Sequence, residues 1–533
     1  MIRTSGAKRS RDNGVTVARH FDNEAGHDVA AGARSTIETI STGPLVRPTK
    51  RHVCWWDDAV TESLSVDVCV IGAGSGGLTV AAFCAMLGAP VVLIEKGEMG
   101  GDCLNVGCVP SKALIAAARR AEDIRTARLF GIGPDVPSVD FAAVRTHIRD
   151  TIATIAPTDS VARFTALGVR VIKGEARFTD PKTVQVGETT IKARRFVIAT
   201  GSRPAVPDIA GLADVPFFTN ETIFDLAECP RHLAVLGGGA IGLELAQAFR
   251  RLGAEVTIFE RDRILAKEDG EMTDVVRRRL LADGITIHEG SEVSRVERDG
   301  ADIRVHAVRD GEEGAIGVSH VLVALGRKPN LDALGLEAAG IAASPRGVTV
   351  DKGLRTTNTR VYAIGDVTGE AGFTHVAGWH GSLVAQNILF RRPIRTDRTA
   401  VPRVTYTDPE LAHVGLMETE ARARDPKARV LRWPLAENDR AVATRRCDGH
   451  VKLVVGHKGA ILGCSIAAAE AGELIAPYAV ALAKGMTVQD LSGIILPYPT
   501  LSEAGKRAAG TYFIASLSNP WIGRIVRFLR RFG

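Results

Sequence analysis

A chain of 533 residues divides, at roughly 100–200 residues per domain, into several domains, which excludes a single small binding module. Its 45% hydrophobic and 24% charged residues, with 55 Gly and 23 Pro, are those of a soluble globular protein and exclude collagen-like and globally disordered classes. The net charge of +6 sits mostly at one end: residues 516–533 carry four Arg and no acid, while residues 1–64 and 65–515 each carry only +1. The body therefore has no basic stripe for nucleic acid.

No run approaches the roughly 18 apolar residues of a membrane span, and the N-terminus has no signal-peptide apolar core, so the expected location is the cytoplasm. Residues 1–64 mix Arg, Ser, Thr, Gly and Asp without apolar periodicity and read as a disordered extension, with Trp55 and Trp56 as a local anchor. At Ser65 the pattern changes. Residues 66–77, 78–88 and 90–97 read as strand and Gly-rich turn, apolar-periodic helix, and second strand. The same phrase returns from His232, so two βαβ nucleotide-binding units lie 165 residues apart, counted from Gly72 to Gly237. Each obeys G-x-G-x-x-G, through Gly72, Gly74 and Gly77 and then Gly237, Gly239 and Gly242, and each ends in the expected acid, Glu95 and Glu260. In such a unit the first Gly permits the turn and the second lets a diphosphate approach the helix N-terminus. The third lets helix and strand pack closely, and the acid accepts from ribose hydroxyls.

Eight cysteines scattered over this length are not a secreted disulfide framework, and only Cys103 and Cys108 lie close together. They follow the first unit directly, in a Gly-rich polar segment before an Ala-rich helical pattern, where a helix start would stabilise thiolate. That setting points to redox chemistry rather than to two core cysteines, and Gly107 can supply the backbone distortion that bridging the pair would need. Further on, residues 473–483 read as a core helix rather than a membrane segment. In the tail, Trp521, Ile522, Ile525, Leu529 and Phe532 recur at helical spacing among Arg524, Arg527 and Arg531. This fits a basic amphipathic helix at a membrane surface or partner.

The phrase GGDCLNVGCVPSK around Cys103 and Cys108 resembles the active-site signature of the class I pyridine nucleotide-disulfide oxidoreductases, the family of dihydrolipoamide dehydrogenase, glutathione reductase and mercuric reductase. ATGSRP, ALGRKPN, TTNTRVYAIGDV and YPTLSEAGKRAA follow in family order, and the resemblance covers roughly residues 65–515. It implies an α/β fold with two Rossmann-like domains, for FAD and for NAD(P), and a C-terminal α+β dimerisation domain. The expected FAD-binding parts are 65–210 and 330–398, with NAD(P) at 211–329, dimerisation at 399–515 and the basic tail at 516–533. The resemblance places FAD on the first Gly-rich unit with Glu95, Ala176, Gly201 and Asp366, and the nicotinamide nucleotide on the second, with Val293 and Gly326 lining it. Cys103 becomes the outer, interchange thiol and Cys108 the inner one of a redox-active disulfide, while Lys112 and Glu244 match an ion pair beside the flavin. Glu260 favours NADH, because a carboxylate repels a 2′-phosphate, although Arg261 and Arg263 follow it.

One departure bears on the substrate. Disulfide-exchanging members carry a His–Pro phrase near the C-terminus with a Glu five residues later; here Tyr498 stands in that place and Glu503 is kept. Mercuric reductases have Tyr at the matching position, so the resemblance is closest to mercuric reductase-like members. The vicinal C-terminal cysteines of typical mercuric reductases are missing, since the last cysteine is Cys464. The implied function is an FAD-dependent NAD(P)H oxidoreductase that acts, as a homodimer, on a small thiol or disulfide or on a soft metal ion. Alternatives are a quinone-like acceptor, dihydrolipoamide dehydrogenase activity, and a low-turnover redox-sensing flavoprotein. The segment carrying Tyr498 and Glu503 is expected to reach the partner's Cys103.

Overall fold

The computed structural model describes residues 62–133, 136–370, 372–396, 401–514 and 520–532. The expectations for residues 1–61, including the anchor at Trp55 and Trp56, fall outside them. The first strand, β1 (Ser63–Ile71), begins two residues before the change of pattern at Ser65. Val68, Cys69 and Val70 along it are fully buried, as a central strand of a parallel sheet covered on both faces requires. It pairs in parallel with β2 (Val91–Glu95) on one side and with the strand Thr189–Ile198 on the other. The sheet has seven strands, and the last to join is Val361–Ala363, which returns from far along the chain to pair in parallel with Thr189–Ile198.

Between β1 and β2 runs α1 (Ser75–Met86), and α1 lies against the helix Thr374–Phe390 with almost no side-chain spacer. A Cβ on Gly381 would stand 2.7 Å from the Gly76 carbonyl oxygen, and one on Gly76 3.0 Å from that of Ala377. Small residues at this crossing let the late segment close over the first unit.

The second unit is a four-stranded parallel sheet in the order Thr286–Glu289, Glu255–Glu260, His232–Leu236, His320–Val323. An antiparallel layer of Ser291–Asp299, Asp302–Arg309 and Glu312–Val318 extends it. The C-terminal unit is a five-stranded antiparallel sheet whose apolar face packs against short helices, including Ala476–Lys484 with Tyr478 and Ala481 in the core. The 473–483 segment is thus core structure, and no helix among the described residues is long and apolar enough to cross a membrane.

Buried ion pairs join these units. Arg251, 4% exposed, bonds Asp283 at 2.9 Å within the second unit and Asp408 at 2.8 Å from the C-terminal unit. Arg446 bonds Asp408 at 2.6 Å, and Arg279 joins Asp283 to Glu122 of the first unit. Lys452, 3% exposed, lies among Asp269, Glu271 and Glu418 at 2.7–2.9 Å. Removing one member leaves a buried charge uncompensated, at a cost of about 3–5 kcal/mol. Asp283→Ala is therefore expected to lower the thermal unfolding midpoint by several degrees, whereas Asp299→Ala, which breaks the exposed pair with Arg304, leaves it unchanged.

Candidate active site

A cleft of about 670 Å³ begins at the first glycine turn and ends where all three units meet. Its walls include Gly72, Gly74, Glu95, Ala176, Gly201 and Asp366 from the first unit, Glu244 from the second unit and Tyr406 from the C-terminal unit. Cys103, Cys108 and Lys112 line its inner end.

The glycines of each turn serve two different needs. Gly72 has φ +104°, and a Cβ there would lie 2.4 Å from the Ala199 carbonyl oxygen; on Gly77 it would lie 1.9 Å from that of Gly72. The second unit repeats this, with Gly237 2.5 Å from the Ala324 oxygen and Gly242 2.1 Å from the Gly237 oxygen. The first and third glycines are demanded by the protein's own packing. The middle ones are not: a Cβ on Gly74 or Gly239 meets nothing within 4 Å, and both have ordinary φ of −80° and −78° at the N-cap of a twelve-residue helix without a side-chain cap. Open space above uncapped N–H groups is what an approaching diphosphate needs. The residues present therefore fit a dinucleotide at each turn.

Each acid also holds its own turn. Glu95 accepts from the Ala73 and Gly97 N–H groups at 2.6 and 2.7 Å, and Glu260 from those of Gly238 and Asp262 at 2.7 and 3.0 Å. A carboxylate has about four lone-pair sites, so ribose hydroxyls can still be accepted. Arg261 and Arg263 are exposed, and Arg263 donates to the Glu268 carbonyl. Ser202 donates to Asp366 at 2.6 Å, at the cleft wall. Val293 packs on the core of the antiparallel layer, and Gly326, with φ +119°, accepts from the Ala205 N–H. Neither lines the cleft.

The cysteines stand on two consecutive helices, α2 (Gly101–Asn105) and α3 (Cys108–Thr126). A Cβ on Gly107 would lie 2.8 Å from the Asp102 oxygen and 3.2 Å from the Cys103 Cα, so glycine lets the start of α3 fold back onto Cys103. Both are free thiols within hydrogen-bonding reach of each other, and Thr374 Oγ1 lies 3.5 Å from Cys108 Sγ. The bond from Cys103 holds the Cys108 thiol down at about 6, against burial and with help from Thr374 and the Lys112 charge. Donating that bond, together with burial, pushes the Cys103 thiol far up. Of the two thiols, Cys108 is thus the one whose surroundings favour the anion and Cys103 the one that resists it.

Lys112 bonds Glu244 at 2.8 Å, with Glu244 only 6% exposed. Tyr406 completes the pair: its N–H donates to Glu244 at 2.9 Å and its ring lies 4.4 Å from the Lys112 ammonium. Burial alone would lower the lysine, but the Glu244 carboxylate outweighs it and the ammonium persists above its usual range. Asp102, beside Cys103, bonds Arg327 at 2.8 Å.

Tyr498 and Glu503 lie apart from this cleft within one chain. Tyr498 is 67% exposed and its hydroxyl donates to Asp439 at 2.7 Å, which holds the phenol above its ordinary value. Glu503 begins the helix Glu503–Gly510 and faces Arg507 at 4.0 Å. Thr374, Tyr406, Asp102, Arg327 and Asp439 were not singled out from the sequence. Of these, Asp102 and Arg327 lay inside recognised phrases, GGDCLNVGCVPSK and ALGRKPN.

Two glycine turns, a thiol pair and an ion pair gathered on this fold define a dinucleotide-linked dithiol oxidoreductase. Residues 66–381 match the family model described as pyridine nucleotide-disulphide oxidoreductase, and residues 401–509 match its dimerisation domain. The chain belongs to this family; it is a flavoprotein oxidoreductase with FAD and NAD(P)H as cofactors. It is 37% identical over 455 residues to a mercuric reductase of Streptomyces lividans, covering 84% of this chain and 96% of that protein. It is 35% identical over 461 residues to a dihydrolipoyl dehydrogenase of Geobacillus stearothermophilus, with coverage of 84% and 96%. Among solved structures, the HOCl-induced flavoprotein disulfide reductase RclA from Escherichia coli superposes with a TM-score of 0.76 at 29% identity, over 83% of this chain and 99% of that one, and its Cu(II) complex matches equally.

Two outcomes follow from this geometry. Gly74→Ala is expected to fold with unchanged thermal midpoint yet be purified largely without flavin, and Gly239→Ala to keep its flavin but show a raised KM for NAD(P)H. In the dithiol protein, ultraviolet thiolate absorbance, taken as the difference from Cys108→Ser, is expected to rise with a midpoint near the Cys108 value of about 6. In Cys103→Ala that midpoint moves up towards the ordinary thiol value of about 8.5.

Proposed function

We propose that this chain is an FAD-dependent NAD(P)H oxidoreductase, working as a homodimer, whose Cys103/Cys108 pair passes electrons to a soft metal ion. The nicotinamide nucleotide and the flavin, when bound, supply hydride donation and two-electron transfer. In this reading the first turn with Glu95, Ala176, Gly201 and Asp366 holds FAD. The second, with Glu260 and the segments around Val293 and Gly326, holds the nucleotide, and Glu260 favours NADH.

The protein's own groups then have defined tasks. Lys112, fixed by Glu244 and Tyr406, places a persistent positive charge that favours the thiolate at Cys108. Thr374 donates a hydrogen bond to the same sulfur. Cys103 is the thiol of the pair that resists losing its proton. A soft divalent ion displaces that proton and is held by two thiolates, the ligand type that such ions prefer. In this reading the ion is a substrate of the thiol pair.

The observation that carries the choice of substrate is the state of Tyr498. Exchange with a dithiol or disulfide needs a base beside the interchange thiol, with a pKa near the working pH. A phenol raised by its bond to Asp439 is a poor base. The relatives named mercuric reductase and the Cu(II) complex of RclA support the same reading. The dimerisation domain and the exposure of Ile495, 96% exposed four residues after Leu491 of the C-terminal core, support the homodimer, in which the partner's Tyr498 and the partner's Glu503 would approach Cys103.

With NADH as donor, turnover with Hg(II) or Cu(II) is expected to exceed turnover with lipoamide or glutathione disulfide by at least tenfold. Tyr498→His is expected to raise lipoamide turnover by about 10²-fold. Equal rates with lipoamide and metal in the wild type would favour dihydrolipoamide dehydrogenase activity instead.

A further inference from the structure

The C-terminal helix Pro520–Leu529 takes no part in the site described above, and none of its residues is buried. Backbone bonds from the Arg530, Arg531 and Phe532 N–H groups to Val526, Phe528 and Leu529 extend the turn to Phe532. At 3.6 residues per turn, Trp521, Ile522, Ile525, Val526, Phe528, Leu529 and Phe532 fall within an arc of about 160°. The opposite arc holds Arg524, Arg527, Arg530 and Arg531 with Gly523, and no acid occurs from 516 to 533. The segregation is complete. The apolar face is open: Ile525, Phe528, Leu529 and Phe532 are 54%, 57%, 57% and 74% exposed. The Phe528 and Phe532 rings meet edge-on at 5.1 Å, and the Arg524 guanidinium lies over the Trp521 ring at 5.0 Å.

We propose that this helix docks the enzyme on an anionic lipid bilayer, lying in the plane of its surface. At 1.5 Å per residue it is about 20 Å long, too short for the roughly 30 Å hydrocarbon core. A face of this width with aromatic residues sinks between headgroups and acyl chains, and the arginines on the other face meet lipid phosphates. Charge complementarity selects the occupant. Four cations without one acid suit a negatively charged surface, and each near such a surface strengthens binding about fivefold. A protein groove receiving an amphipathic helix needs only a row of anchors at i, i+3, i+4 and i+7, which does not account for a cation-only opposite face.

The test uses the full-length flavin-loaded protein, sedimented with vesicles of phosphatidylcholine with or without phosphatidylglycerol. Binding is expected at least tenfold tighter to the anionic vesicles and weakened by salt. Brominated acyl chains should quench a tryptophan signal that is missing in Trp521→Phe. Replacing Arg524, Arg527, Arg530 and Arg531 by Gln should cost about 600-fold, by the same fivefold increments. Ile525→Asp with Phe528→Asp should abolish binding, while NADH oxidation by the soluble enzyme stays unchanged. Vesicle binding that survives deletion of residues 516–533 would overturn the proposal. So would failure to bind anionic vesicles, whether the aspartate variant then changes only the oligomeric size or only the capture of an acidic protein.

Discussion

The ion pair between Lys112 and Glu244 is the contact on which the architecture of the site depends. It joins the helix that begins at Cys108 to the helix that follows the second glycine turn, at 2.8 Å. The C-terminal unit then closes over it through the backbone and ring of Tyr406. A buried carboxylate such as Glu244 is costly without partners. Here one carboxylate receives both an ammonium and an N–H, so the same arrangement that makes Glu244 tolerable also places a cation beside the thiol pair. One contact thus helps both to register the three units, alongside the Arg251 and Arg279 pairs, and to favour the anion at one sulfur, alongside Cys103 and Thr374.

A division of labour among glycines runs through both nucleotide units. At Gly72, Gly77, Gly237 and Gly242 the protein's own carbonyls leave no room for a side chain, so those positions are required by the fold whether or not a ligand binds. Gly74 and Gly239 are hemmed in by nothing and sit in ordinary backbone conformations. Their lack of a side chain is explained only by what approaches from outside. Gly107 belongs with the first kind, because it brings the two cysteines together.

Much of this was legible in the sequence because it is local. The βαβ units, the cysteine spacing and the acid at the end of each second strand all fall within about 30 residues, where period and spacing carry information. Lys112 and Glu244 were reached through family phrases rather than through physics, since 132 positions separate them. Thr374 lies 266 positions from Cys108, and Tyr406 162 from Glu244. No periodicity marks a single Thr or Tyr as a neighbour of a distant thiol or carboxylate. Tyr498 was visible as a departure from a phrase, but Asp439, which decides its protonation, was not.

The central claim is that electrons from the nicotinamide nucleotide reach the Cys103/Cys108 pair. Anaerobic addition of NADH to the oxidised, flavin-loaded enzyme, followed by alkylation and peptide mapping, tests it directly. The account predicts two newly alkylated thiols per chain, at Cys103 and Cys108, each lost when the other is replaced by serine. Consumption of NADH with no new thiol at either position would contradict it and would confine the chemistry to the flavin.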